Sequence, residues 1–288
     1  MYRISFARLA FALLAVWCTA HAAAAPVSHP AQSPAYQFSP VNQHNVQLTA
    51  GFWNPIMDYV SQASGVALRL KLGRTSADTT SFVLAQEVDF AFTNHLFSPE
   101  RTRMGWRVVA RRTGAPARAQ IITLAGSKVT DMKQLAGANV AFPGPEALIA
   151  YKVSYAELLR RKVPVNVVFA GNMDGALAQL VSGKAAAVGA NSQLADSFTA
   201  RTGQQLHVLW QSEPFADLAL MVSPRVPAAR AEAVARAFIG MANNPEGRRI
   251  LAEAAALVKT APFAFVAAGE ADYSAYRDFY SRVPASLR

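Results

Sequence analysis

Two carboxylates, Glu146 and Asp174, stand just beyond two strand-like runs, residues 139–142 and 165–170, where turn residues pass each run on to a helical pattern. Carboxylates brought to one rim could do acid–base chemistry, or each could simply be a first-turn acid that favours its own helix. The turn before Glu146, Pro143-Gly144-Pro145, leaves a strand end and meets a helix start. Unpaired backbone N–H groups and the positive end of the helix dipole make such a place a seat for an anion. Asn172 in Gly171-Asn172-Met173-Asp174 can cap the next helix or face a ligand. Asn191 follows the end of the strand-like run 185–190, where it is placed to contact a ligand or the hinge.

The first half of the chain offers a second set. Thr93-Asn94-His95 follows the run 88–93, and Ser76 opens a helix. Phe52-Trp53-Asn54-Pro55 reads as a helix entrance with Asn54 as cap, Pro55 as first helical residue and Trp53 as a stacking surface or a staple. His95 reads as a ligand contact or a loop histidine. His29, His44 and His207 are scattered, without metal-ligand spacing. No G-x-S-x-G elbow, H-E-x-x-H, P-loop or dinucleotide glycine fingerprint is present. No catalytic residue, metal or cofactor is therefore expected.

These groups need elements to place them. Strand patterns at 66–72 and 88–93 alternate with helices at 54–65 and from Ser76 or Asp78 to about Gln86, behind an opening strand within 36–48. This is the order of a parallel sheet with crossovers, whose ligands sit beyond the carboxyl ends of the strands. A strand at 118–124 leads into a second set: a short helix closing on Gly137, strand 139–142, a helix from Glu146 with Leu148, Tyr151, Tyr155 and Leu158 on one face, strand 165–170, a helix closing on Gly183, and strands 185–190, 207–211 and 218–223. Helices at 227–241 and 245–258 return to the first set. The expected division is a signal peptide 1–25, a tether 26–36, lobe one from 37–120 and 225–288, and lobe two from 121–224. The crossings fall near Leu124 and Ser223.

Arg3 and Arg8, the apolar run 9–17 and the small residues up to Ala25 have the parts of a cleaved secretory signal, with cleavage expected between Ala22 and Ala25. Cys18, the single cysteine, leaves with it, so no disulfide is expected. Loss of the two leader arginines takes the net charge from +10 to +8, dispersed along the chain, which suits a solvated arginine-rich surface or attraction of anions and argues against nucleic acid. A periplasmic monomer is expected.

The segments TDMKQLAGANVAF, VVFAGNMDGALAQLVSGKAAAVG, LHVLWQSEPF, NNPEGRRIL and FVAAGEADYSAYRDFY, in that order, resemble the phosphate/phosphite/phosphonate-binding receptors of ABC importers. The resemblance implies an α/β, two-lobed type 2 periplasmic-binding fold, each lobe a mixed, mostly parallel sheet flanked by helices. It also implies closure on a small-molecule solute and delivery to an ABC permease in the inner membrane. In the residues expected to bind, Trp53, Asn54, Ser76, Asn94, His95, Gly144, Glu146, Asn172, Asp174 and Asn191, two stretches depart from the family pattern. Pro143-Gly144-Pro145-Glu146 stands where a Ser-Thr-Ser-Gly type loop is usual, and Asn172-Met173-Asp174 where Ser-His-Asp is usual. Prolines remove donors, and Glu146 is expected to repel an anion. Zwitterionic or amine-bearing solutes thus stand beside phosphonates, and a ligand-presenting sensor or interaction protein stands beside an import receptor.

Overall fold

The computed structural model describes residues 35–288; the expected signal peptide and most of the tether lie outside the described residues. Tyr36, expected to end the tether, begins β1 (Tyr36–Pro40). Residues 41–45 turn the chain, and Asn45 caps α1 (Val46–Ser64) by accepting the Leu48 N–H at 3.0 Å. The helix therefore starts about two turns before the expected Asn54-Pro55 entrance, and Pro55 lies inside it. The buried Thr49, Phe52, Trp53, Ile56, Met57 and Val60 repeat at helical spacing straight through the proline, and that continuous apolar stripe outweighs the local break. Gly65, at φ 65°, ends the helix in the left-handed conformation that glycine adopts at no steric cost.

The first lobe continues with β2 (Leu68–Leu70), α2 (Asp78–Leu84), β3 (Phe90–Thr93), the short α3 (Pro99–Thr102) and β4 (Arg107–Arg112). The sequence reading passed over β4 because its outward arginines mask the inward Val108 and Ala110. The second lobe holds β5 (Ala117–Leu124), β6 (Asn139–Phe142), α4 (Ser154–Arg160), β7 (Asn166–Phe169), α5 (Met173–Val181), β8 (Ala187–Asn191), α6 (Ser192–Thr202) and β9 (Leu206–Phe215). The chain returns through β10 (Ala219–Val222), α7 (Ala228–Gly240), α8 (Pro245–Leu257), β11 (Phe265–Ala267) and α9 (Ser274–Arg282).

Two mixed sheets result, in the orders β2-β1-β3-β10-β4-β11 and β7-β6-β8-β5-β9. In each, the strands that precede crossover helices pair in parallel, while the strands that lead between lobes pair antiparallel. Sheet membership moves the expected boundaries. β5 lies wholly in the second sheet, and β10, expected to complete that sheet, pairs with β3 and β4 in the first. The crossings are thus residues 113–116 and 216–218, and Leu124 and Ser223 lie beyond them. Arg112, the last residue of β4, pairs with Asp217 of the second crossing at 2.7 Å.

Aromatic packing fixes the first-lobe core, where the Trp53 ring lies 4.9 Å from Phe38 and 5.0 Å from Phe92 between centroids. A further apolar cluster runs under both lobes, with Tyr276, Tyr280 and Val283 against Leu96 and Phe97 on one side and Leu148, Ile149 and Phe215 on the other. The carboxyl-terminal helix thereby straps the lobes together.

The helix expected to open at Glu146 opens at Leu148 instead, through a wide turn Leu148–Val153 that runs into α4. Both Tyr151 and Lys152 donate N–H to the Ala147 carbonyl, at 2.8 and 3.1 Å. Glu146 is left outside the helix, free to reach the other lobe.

Candidate functional site

Strand ends from both lobes converge on one cleft. The β1–α1 turn and residues 76 and 94–95 form one wall; the turn after β6, the start of α5 and the junction of β8 with α6 form the other. The enclosed space is about 40 Å³, and its polar lining is Asn42, Gln43, Ser76, Asn94, His95 and Asn191. Leu148, Met173, Leu194 and Leu218 supply apolar surface between them. Among the described residues no lysine, arginine or carboxylate lines this chamber.

Each polar group is held by the local fold. Asn94 donates to the Tyr276 hydroxyl at 3.3 Å, and that hydroxyl donates to the Ala216 carbonyl in the second crossing at 2.6 Å. His95 Nδ1 lies 2.8 Å from Thr80 Oγ1. Burial keeps its imidazole neutral, with the pKa pushed down to about 3 against the opposing pull of Glu146. Asn191 caps α6 through the Gln193 N–H at 2.9 Å and also faces the chamber. Ser76 donates its N–H to the Gly171 carbonyl of the other lobe at 2.7 Å, while its buried hydroxyl has no protein partner. The Asn42 side chain donates to the Gly73 carbonyl at 2.5 Å and leaves its own carbonyl oxygen buried without a partner. Gly144 closes over Ser76, since a Cβ there would stand 2.9 Å from the serine hydroxyl.

The two carboxylates do not line the chamber. Glu146 makes a two-pronged pair with Arg101 of the first lobe. Burial would raise its pKa, but the Arg101 hydrogen bond and charge hold it ionised, below the usual carboxylate value. Asp174 accepts from Arg201 at 2.5 Å and from the Asn45 N–H of the first lobe at 3.2 Å, with His44 Nδ1 at 3.6 Å. Burial again works upward, yet His44 and Arg201 bring the Asp174 pKa to about 2. Both acids are therefore neutralised and tie the lobes together.

Of the residues expected at the site, the structure brings Ser76, Asn94, His95 and Asn191 to the chamber and Gly144 to its edge, with Glu146 and Asp174 beside it as links between lobes. Asn172 is a helix cap, accepting the Gly175 N–H at 2.8 Å, and is absent from the lining. Asn54 is corrected outright: it is exposed on the outer face of α1 because the helix started earlier. Trp53 is a core residue that lines an adjoining cavity and not this chamber. The sequence reading missed residues 42–45, having carried a strand through them. Pro40 ending β1 and Asn45 at capping distance before the apolar stripe were the available signals. His44, dismissed as scattered, reaches Asp174. Among the described residues no group of three His, Cys, Asp or Glu is placed to hold a metal.

The family model for periplasmic substrate-binding proteins of phosphonate ABC transporters matches residues 38–273. The chain belongs to this family. It is accordingly a periplasmic substrate-binding component of an ABC importer, with a small-molecule ligand and a permease partner, and not an enzyme. No curated protein matches it in sequence. Among solved structures, a binding component of an ABC phosphonate transporter from Pseudomonas aeruginosa is 15% identical, with a TM-score of 0.71 and 85% of each chain covered. PhnD1 from Prochlorococcus marinus, in complex with methylphosphonate, is 13% identical, with a TM-score of 0.72, over 86% of this chain and 97% of that one. A Xanthomonas citri protein bound to ATP is 12% identical, with a TM-score of 0.63, over 88% and 97%. At these identities the likeness is one of fold, and it supports the two-lobed architecture of this phosphonate-binding family member.

Proposed function

We propose that the chamber binds an oxyanion of the phosphonate class through uncharged donors and helix N-termini, and that the exported chain works as a monomer after loss of its leader. The carrying observation is that Glu146, expected to repel an anion, and Asp174 are neutralised by Arg101 and Arg201 outside an uncharged lining. What remains facing the ligand is Ser76, Asn94, His95 and Asn191, with Gly144 at the edge and Met173 and Leu148, the first residues of α5 and of the wide turn, in the same lining. Neutral donors can hold an oxyanion once closure excludes water, because their dipoles act in low dielectric. Closure pivots about residues 113–116 and 216–218, and the ligand favours the closed form by touching both walls.

A thermal-shift panel on the mature protein tests this, with methylphosphonate, phosphite and phosphate against amines, amino acids and sulfonates. Ligand at a hundredfold excess over Kd stabilises the folded state by about 2.7 kcal/mol. Shifts confined to the phosphorus oxyanions support the reading, and shifts confined to amines or amino acids overturn it.

A further inference from the structure

Asn94 stands apart from the donors around it. Its side-chain amide is 3.3 Å from the Tyr276 hydroxyl, which in turn lies 2.6 Å from the Ala216 carbonyl. A carbonyl only accepts, so the single hydroxyl proton goes to Ala216 and the phenol oxygen must accept from Asn94. Burial raises the Tyr276 pKa well above its ordinary value, which keeps that proton in place. The amide is thereby fixed with Nδ2 toward Tyr276 and Oδ1 on its other side. Oδ1 has no hydrogen-bond partner among the described residues and, unlike the Ser76 hydroxyl, is not sealed off by protein. Asn94 is itself buried and lines the chamber, so this oxygen opens onto the ligand space.

His95 beside it supplies the opposite polarity. The Thr80 hydroxyl has no other acceptor among the described residues than His95 Nδ1, so it donates there and the imidazole proton sits on Nε2. The chamber thus sets an N–H donor next to a C=O acceptor, and a headgroup that satisfies both carries an ionised oxygen and a hydroxyl. Charge points the same way. No cation lines the chamber among the described residues, and the desolvation cost of an ion grows with the square of its charge, so a doubly charged headgroup fares far worse there than a singly charged one.

We propose that Asn94 is a specificity-determining residue and that the chamber takes a phosphonate in its singly ionised form, whose P–OH donates to Asn94 Oδ1. This rests on the oxyanion reading of the chamber. Tyr276 is a positioning residue, because its bond to Ala216 decides which end of the Asn94 amide the ligand meets. A sulfonate has the same charge and shape but no hydroxyl, and it leaves Oδ1 buried without a partner. Around Asn94 stand His95 on its own loop, neutral with a pKa of about 3, Lys152 behind it with its pKa lowered by burial, and the Glu146–Arg101 pair. Asp217, paired with Arg112, faces from the second crossing, the Tyr273 ring lies 5.5 Å from that of Tyr276, and His44 and Asp174 meet beyond the β1–α1 turn. A ligand of fixed charge therefore has to report the protein's own titration.

The test is a calorimetric titration of the mature protein with methylphosphonate and methanesulfonate, at slightly acidic pH, where each carries one charge, and into alkaline pH, where only methylphosphonate gains a second. At slightly acidic pH the parent should bind methylphosphonate about tenfold or more tightly than methanesulfonate. Above the ligand's second ionisation, methylphosphonate affinity should fall about tenfold per pH unit, a fall that methanesulfonate does not share. Tyr276→Phe frees the amide to turn its NH2 group to the ligand, and Asn94→Leu removes the acceptor while leaving the Tyr276 bond to Ala216. In each variant the two ligands should bind within about threefold of one another at slightly acidic pH. Equal affinity for the two ligands in the parent overturns the inference, as does methylphosphonate affinity that holds or rises into alkaline pH, or a preference that survives in either folded variant. Binding of neither ligand at any pH would overturn the underlying oxyanion reading instead.

Discussion

The Arg101 guanidinium on α3 and the Glu146 carboxylate beyond β6 meet fork to fork from opposite lobes, each side chain about four-fifths buried. Removing one partner strands the other's charge in the closed form, a cost on the order of 2 kcal/mol. Glu146→Gln should therefore shift the unliganded protein toward open arrangements. Small-angle scattering of the unliganded variant should show a larger radius of gyration than the parent, with the difference abolished by saturating ligand. Identical scattering curves would mean the pair does not hold the lobes.

Asp174 makes acid stability sensitive to one residue. Its folded pKa of about 2 lies below the ordinary 3.8, so its contribution is fully present above 3.8 and is lost as pH falls toward 2. That contribution is on the order of 2 kcal/mol. Asp174→Asn should lower stability at neutral pH and flatten the decline between pH 4 and pH 2, at the two ends of the shift. Parallel pH profiles for variant and parent, followed by urea unfolding, would contradict the assignment.

Ser76 and Gly144 should be coupled. The serine hydroxyl is buried without a protein partner, so Ser76→Ala should leave stability unchanged or slightly raised while weakening ligand binding by about 1 kcal/mol, or roughly fivefold. Gly144→Ala should hinder closure because its new methyl meets that hydroxyl at 2.9 Å. Combining the two substitutions should recover part of the Gly144→Ala loss in a double-mutant cycle. Strict additivity in ligand affinity would separate the two residues.

The wide turn Leu148–Val153 sits close to β8 because Gly189 has no side chain. A Cβ there would stand 2.3 Å from the Ala150 carbonyl oxygen and 2.3 Å from the Phe142 ring. Gly189→Ala should cost about 2 kcal/mol or more by overpacking. The urea midpoint is the readout, and an unchanged midpoint would contradict this seating.

Much of the second lobe was legible because its signals are local. Gly137 and the strand Asn139–Phe142 stand where the sequence placed them, and the Asn172 cap does as well. Glu146 was legible as a residue at the rim but not as a neutralised one, since Arg101 is 45 positions away and only tertiary folding brings it near. The Asp174 link to Asn45 spans 129 positions and is hidden for the same reason. Asn54-Pro55 misled through a genuine capping pattern that a longer apolar stripe overrode. β10 was legible as a strand, but its sheet was not, because an antiparallel insertion between β3 and β4 leaves no trace in local periodicity.

The central claim is that an uncharged chamber between the lobes holds a phosphorus oxyanion. Isothermal titration of the mature protein with methylphosphonate, alongside Ser76→Ala and His95→Ala, tests it most directly. The expected result is one site per chain, with affinity weakened in both variants while their thermal unfolding stays cooperative. Parent-like affinity in both variants, or no heat with methylphosphonate, phosphite or phosphate while an amine or amino acid binds, would contradict it.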